Sequence, residues 1–359
     1  MPKALVWTDG HSHCHKDRVE RLGHCLDVTD WTFRVAERHE CEYIFFLGDL
    51  FHERTKIDVL NYTRTFEVIR RNMASGRFQM YALLGNHDMY HKRRWDVNSV
   101  GPLTAIDGFH VVDSPRRLRL GGRKIDWLPH TENTPETLEE FKKEHGAGDL
   151  LLGHVAVHGA LLNLCYGTRA DVIVEYDSGM VAVGPEVFKD WPMTLLGHYH
   201  GAQKLAHNVE YVGSPLQLNF GEAFQQKHCV VLDLDTMAKE YVVNDFSPKH
   251  LIVTAKDVED ENYDLNGHFV RLAVDDMRCG EVLEVKRHIA SKYRTLSFDT
   301  KTKERKKSDD ASTVIQVAKG ILTDVEKMLR TYVREKGVPP GMDGDRLIAR
   351  GLEYLQQKP

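Results

Sequence analysis

Five short apolar runs in this chain each end in a small residue, followed within a residue or two by a side chain able to ligate a metal. Residues 4–7 lead to Thr8-Asp9-Gly10-His11, and residues 43–47 lead to Gly48-Asp49-Leu50-Phe51-His52. Residues 80–84 lead to Gly85-Asn86-His87-Asp88, 150–152 to Gly153-His154, and 193–196 to Gly197-His198-Tyr199-His200. Continuous apolar runs of this length read as strands buried on both faces. Between the second and third, Val59, Tyr62, Phe66, Ile69 and Met73 recur by threes and fours, which predicts a helix; residues 19–38 predict another. Strands alternating with helices make an α/β sheet, and such sheets bind ligands beyond the carboxyl ends of their strands. All five clusters belong to that edge.

The residue types at that edge point to metal chemistry. Asp, Asn and His suit manganese, iron or zinc, and the lack of Cys among them argues against a closed structural zinc site. A glycine lets the chain turn sharply off a strand and lets backbone approach an ion. Sixteen of the 20 histidines lie in the first 225 residues, which also carry the whole net charge of −5. That balance favours metal ligation over broad nucleic-acid affinity. The six cysteines include no C-x-x-C pair, so neither a disulfide framework nor a zinc knuckle is expected. No apolar run approaches the ~20 residues of a membrane span, and no export signal is visible at the start. The expected setting is a reducing cytoplasm, with no membrane partner. At 359 residues, 42% hydrophobic and 28% charged, the chain is long enough for two domains or one with an appendage.

The five motifs in this order resemble the calcineurin-like metallophosphoesterases, and within them the SbcD-type nucleases of DNA double-strand-break repair. Gly48-Asp49-Leu50-Phe51-His52 is similar to that family's second motif, where many other phosphoesterases carry Asp in place of His52. Gly153-His154-Val155-Ala156-Val157-His158-Gly159 resembles the fourth. The stretch from Tyr211 through Gly213-Ser214-Pro215 to Asn219-Phe220-Gly221-Glu222 resembles the segment after the fifth. The resemblance covers residues 1–245 and implies a β-sandwich flanked by helices.

By that resemblance Asp9, His11 and His200 would hold one metal, Asn86, His154 and His198 the other, and Asp49 would bridge them. The ions implied are two divalent cations, manganese first and magnesium second. His87 would stabilise developing charge or protonate the leaving group. His52 would assist it or touch the phosphate, and Asp88 would orient its neighbours rather than ligate. His13 and His15 are expected on the loop after the first strand, outside the site. Lys92, Arg93 and Arg94 directly follow the third motif and are candidate contacts to a DNA backbone, with a solvated loop as the competing reading.

Beyond residue 246 the histidines thin out. Residues 250–255 and 268–274 read as strands, 281–292 as a helix and 294–299 as a strand. This small α/β module (246–310) matches in position the family's DNA-aligning cap. Residues 301–307 hold five basic side chains in a DNA contact or a charged linker. In 311–359, Val314, Ala318, Ile321, Val325, Met328 and Tyr332 form a helical apolar stripe, which residues 337–341 must break before a second short helix. These helices pack on their own domain or, as the resemblance implies, on an SbcC-type coiled-coil ATPase; a homodimer is a further implied partner.

The resemblance therefore implies a manganese-dependent DNA nuclease, an exonuclease on ends and an endonuclease on single strands. The alternative is a phosphodiesterase or phosphatase for small molecules or phosphoproteins with the same metal core. A degenerate, non-enzymatic scaffold should have lost ligands, and all seven are present along with His87.

Overall fold

The computed structural model describes residues 1–14, 19–91, 93–161, 182–274 and 277–301, with Arg346 and Arg350 beyond them. Two six-stranded sheets carry the larger part. The first runs in the order Lys239–Val243, His228–Asp233, Lys3–Trp7, Tyr43–Phe46, Gln79–Leu83, Phe109–Val112. Its last four strands are parallel, and the first two run antiparallel to their neighbours. The second sheet runs Gln203–Ala206, Val209–Tyr211, Thr194–Gly197, Leu150–His154, Arg123–Leu128, Arg116–Leu120. Its four central strands are parallel and both edges antiparallel. The five runs of the sequence thus divide between two sheets, three and two.

Alternation of side chains explains why these strands read as apolar throughout. Leu5, Trp7, Ile44, Phe46, Met80 and Ala82 pack outward under Cys25, Val28 and Phe33 of helix Val19–Arg38 and Ile69 and Met73 of helix Val59–Met73. Their neighbours Ala4, Val6, Phe45 and Leu83 face the second sheet, meeting Ile125, Trp127, Leu150, Leu152 and Leu195. On the far face, Leu151 and Leu196 pack with Leu138 and Phe141 of helix Thr134–His145 and with Trp191. The result is a helix–sheet–sheet–helix stack, the sandwich expected from the resemblance.

Helix Val59–Met73 begins at Asp58, whose carboxylate accepts from the amides of Leu60 and Asn61 at 2.8 and 3.2 Å. One turn in, buried Asn61 accepts from Ser12 Oγ and donates to the Ser12 carbonyl, both at 2.7 Å. The helix therefore pins the loop that carries His11.

Residues 250–301 build a second, smaller core. Strands His250–Val253, Phe269–Ala273 and Ser297–Lys301 form a parallel sheet, and Ile289 of helix Cys279–Lys292 packs on Val253, Val270 and Leu272. The first strand stops at Val253 instead of reaching residue 255. Thr254 caps a short helix, Ala255–Glu259, accepting from the Asp257 amide while Asp257 accepts from its own. The chain divides into two compact units, Met1–Lys301 and Thr302–Pro359. His15, Lys92 and most of the expected C-terminal helices lie outside the described residues, as do all but the first residue of the basic run 301–307.

Candidate dimetal centre

The turns that leave the five strands are held by backbone bonds before any side chain takes part. The amides of Asp9, His11 and Ser12 donate to the carbonyls of Gly48, Asp49 and Leu50 at 2.9–3.0 Å, joining the first two motif loops. Asp9, His11, Asp49 and His198 all have positive φ, at 52, 41, 61 and 104°. Such backbone costs of order 1–3 kcal/mol per residue and gathers where function over-determines it. Gly85 must be glycine, because a Cβ there would stand 2.2 Å from Asp49 Oδ1 and 2.6 Å from the Asp49 amide.

Two trios of side chains meet on one carboxylate. His200 Nε2 stands 3.1 Å from His11 Nε2 and 3.9 Å from Asp9 Oδ1, and His11 Nε2 lies 3.7 Å from that oxygen. In the second trio, Asn86 Oδ1 is 3.1 Å from His154 Nε2 and 3.0 Å from His198 Nδ1. Asp49 Oδ2 faces both, 3.6 Å from His11 Nε2 and 3.3 Å from His154 Nε2. Its other oxygen accepts from the His87 amide at 2.7 Å. All seven residues of the expected ligand set are brought together.

The donor chemistry fits cations. Asp9 Oδ1 is buried with no hydrogen-bond partner, a costly state for a carboxylate unless a cation meets it. Burial works against ionisation of Asp49, but the imidazoles of His154, His87 and His11 outweigh it and hold its carboxyl well below the usual range. Burial pushes His154 down, yet Asp49 and Asp9 win and raise it to about 9. Without metal, a proton supplies the charge that these carboxylates demand, and metal binding would release it. Burial, with His154 alongside, pushes His198 to about 3, which leaves its ring a neutral donor.

Surrounding groups fix the rings. His154 Nδ1 donates to the Leu47 carbonyl at 2.7 Å, so Nε2 is the nitrogen turned to the trio, where it would ligate once its proton has left. His200 Nδ1 lies 3.0 Å from Glu222 Oε1. His87 Nδ1 meets the His52 carbonyl at 2.5 Å, and the His87 ring lies 4.9 Å from that of His11. His52 Nδ1 is 3.3 Å from His11 Nδ1, and the His13 ring stacks on His52 at 4.4 Å. His13 therefore adjoins the site, where the sequence reading had set it aside. Sequence alone also missed Glu222 and Lys227, which pair at 2.6 Å, and His130, whose ring lies 6.3 Å from that of His154; only Glu222 had a signal, its place in the segment after the fifth motif.

Asp88 sits beneath, not in, the trios. It accepts from the amides of Asp49 at 2.7 Å, Gly85 at 2.9 Å and Leu50 at 3.0 Å. Burial and the neighbouring Asp49 charge push its carboxyl up to about 7. Asp88→Ala would strand three buried donors at about 1–3 kcal/mol each. A chemical-denaturation midpoint well below that of the wild type is the expected result, and an unchanged midpoint would show that the loops are held elsewhere. Of the candidate DNA contacts, Arg93 pairs with Glu132 at 2.5 Å and Arg94 with Asp96, on the hairpin formed by Met89–His91 and Arg94–Asn98.

Comparison with known proteins gives the centre its family. Residues 3–201 match the calcineurin-like phosphoesterase model. "Exonuclease subunit 1" of enterobacteria phage T4 is 26% identical over 202 residues, 55% of this chain and 54% of its own. A protein of Invertebrate iridescent virus 3 named as a phosphoesterase is 23% identical over 201 residues, covering 53% and 52%. The chain spans about half the length of these curated relatives. A solved archaeal phosphodiesterase overlaps 67% of this chain and 99% of its own, with a TM-score of 0.35 at 11% identity. With the family model matching more than half of its length, the chain belongs to the calcineurin-like phosphoesterases.

Proposed function

We propose that this phosphoesterase is a manganese-dependent DNA nuclease that holds two ions, one on Asp9, His11 and His200, the other on Asn86, His154 and His198, with Asp49 between them. The observation that carries the reading is Asp49 Oδ2 facing one histidine of each trio, at 3.6 and 3.3 Å. When bound, such a pair of ions lowers the pKa of a water and neutralises phosphate oxygens on both sides of an in-line displacement. The protein supplies position and protons. The His52 carbonyl accepts the Nδ1 hydrogen of His87, so the second hydrogen of the protonated ring would sit on Nε2, from which it can pass to the departing sugar oxygen or hydrogen-bond to it. His52 itself is exposed and contacts the His11 ring, so it orients that pair and can reach a phosphate.

A DNA substrate, in preference to a small phosphodiester or a phosphoprotein, is supported by His52 in the second motif, by the segment ending in Glu222, and by the phage relative named as an exonuclease subunit. "Subunit" also supports a partner, and residues 311–359 are our candidate for docking an SbcC-type ATPase. Residues 246–310 would serve as a DNA-aligning cap, and Lys92, Arg93 and Arg94 as contacts to the DNA backbone. The test is to offer purified protein with manganese end-labelled duplex DNA, single-stranded DNA, cyclic nucleotides and a phosphoprotein in parallel. Cutting of DNA ends supports the reading; turnover confined to small molecules or the phosphoprotein overturns it. Manganese at a hundred times its Kd should stabilise the fold by about 2.7 kcal/mol per site. A melting temperature that rises with manganese and falls back with chelator is the expected result.

A further inference from the structure

One buried ion pair lies against a proposed ligand, His200, without itself belonging to either trio. Glu222, 2% exposed, ends the turn Phe220–Glu222, and Lys227, 5% exposed, faces it with Nζ at 2.6 Å. Both oxygens of Glu222 are fully engaged. Oε1 receives His200 Nδ1 and Asn219 Nδ2 at 3.0 and 3.2 Å; Oε2 receives Lys227, the Leu218 amide at 3.2 Å and Ser214 Oγ at 3.3 Å. Lys227 donates onward to the His200 carbonyl at 2.8 Å, Ser214 Oγ at 3.0 Å and Gln225 Oε1 at 3.0 Å. His200 is thus held at both its ring and its backbone.

The turn is gripped from its other end by the small module. The Arg271 guanidinium lies 3.9 Å from the Phe220 ring centre, and the His250 ring 4.8 Å away edge-on. Beside it, Gln217 accepts the His250 amide at 2.6 Å and donates to the Gln225 carbonyl at 3.0 Å.

The two trios are therefore supported differently. His154 is oriented by a neutral carbonyl; His200 is oriented by a carboxylate, which makes an imidazole more basic as well as fixing it. We propose that Glu222, set in place by Lys227 and by the small module through Phe220, is a positioning residue that tunes the metal position of Asp9, His11 and His200 without tuning the other. The inference rests on the dimetal reading above and adds to it an unequal pair of sites, one of which responds to the module.

Manganese titration calorimetry on the full chain tests it. Wild type should bind two ions. Glu222→Gln should keep one affinity unchanged and weaken the other about 10–100-fold, the usual worth of such an outer partner. Glu222→Gln with Lys227→Met, which leaves no lone buried charge, should do the same and keep an apo melting temperature near that of wild type. Phe220→Ala should weaken the same affinity by less. Two unchanged affinities, loss of both together, or failure of both Glu222 variants to fold would each overturn the proposal and assign the pair to the core. A wild-type chain that binds no manganese would instead remove the dimetal reading itself, and this inference with it.

Discussion

Asp49→Ala is expected to reduce hydrolysis of every phosphodiester to background and to lower bound manganese from two per chain to one or none. The effect should exceed the about 10²–10⁴-fold worth of a single acid or base, because the Asp49 carboxylate takes part in two arrangements at once. Its Oδ2 faces His11 and His154, and its Oδ1 accepts the His87 amide. Removing the carboxylate leaves the two trios without shared charge and frees the backbone of the proposed acid. Metal content by mass spectrometry, measured beside turnover, is the check. Full activity with two metals retained would overturn the site assignment.

His87→Gln should behave in the opposite way. Both ions and DNA binding should persist while turnover falls about 10²–10⁴-fold, since glutamine can hold a hydrogen bond but cannot deliver a proton. His87 deserves this separation because its ring also lies within ligand range of His11 and Asp49. Collapse of metal content in the variant would make His87 a ligand. Rate loss with metals intact would leave it the proton donor. The size of the loss on substrates with good and poor leaving groups refines this: a true acid matters less when the leaving oxygen needs no proton.

The sequence displays the five strand-to-ligand junctions because both faces of each strand are buried and the glycines after them answer to backbone demands. Gly48 at φ 100° and the crowded Gly85 are such cases. It also displays the two long helices by their periodicity. What it hides is partition. Nothing in the apolar runs says that the first three join one sheet and the last two another, since a strand buried on both faces looks the same whether a helix or a second sheet covers it. Edge strands such as Lys239–Val243, with mixed exposure, leave a weaker pattern still. The small module was legible in outline, but Thr254 looked like strand because its capping role depends on Asp257 three residues on. Lys227 was invisible: a lysine among polar neighbours reads as surface, and only the fold shows it buried against Glu222.

Each proposed ion would draw on both sheets. Asp9 and His11 follow one strand of the first sheet and His200 one of the second, across 189 residues of chain at the His11–His200 contact; Asn86 and His154 likewise come from opposite sheets. During synthesis, at about 5–20 residues per second, neither cage can be complete until the ribosome has passed residue 200. An ion arriving early would find an incomplete cage. Capture would then come last, acting as a latch that closes only on chains whose two sheets have already docked in register.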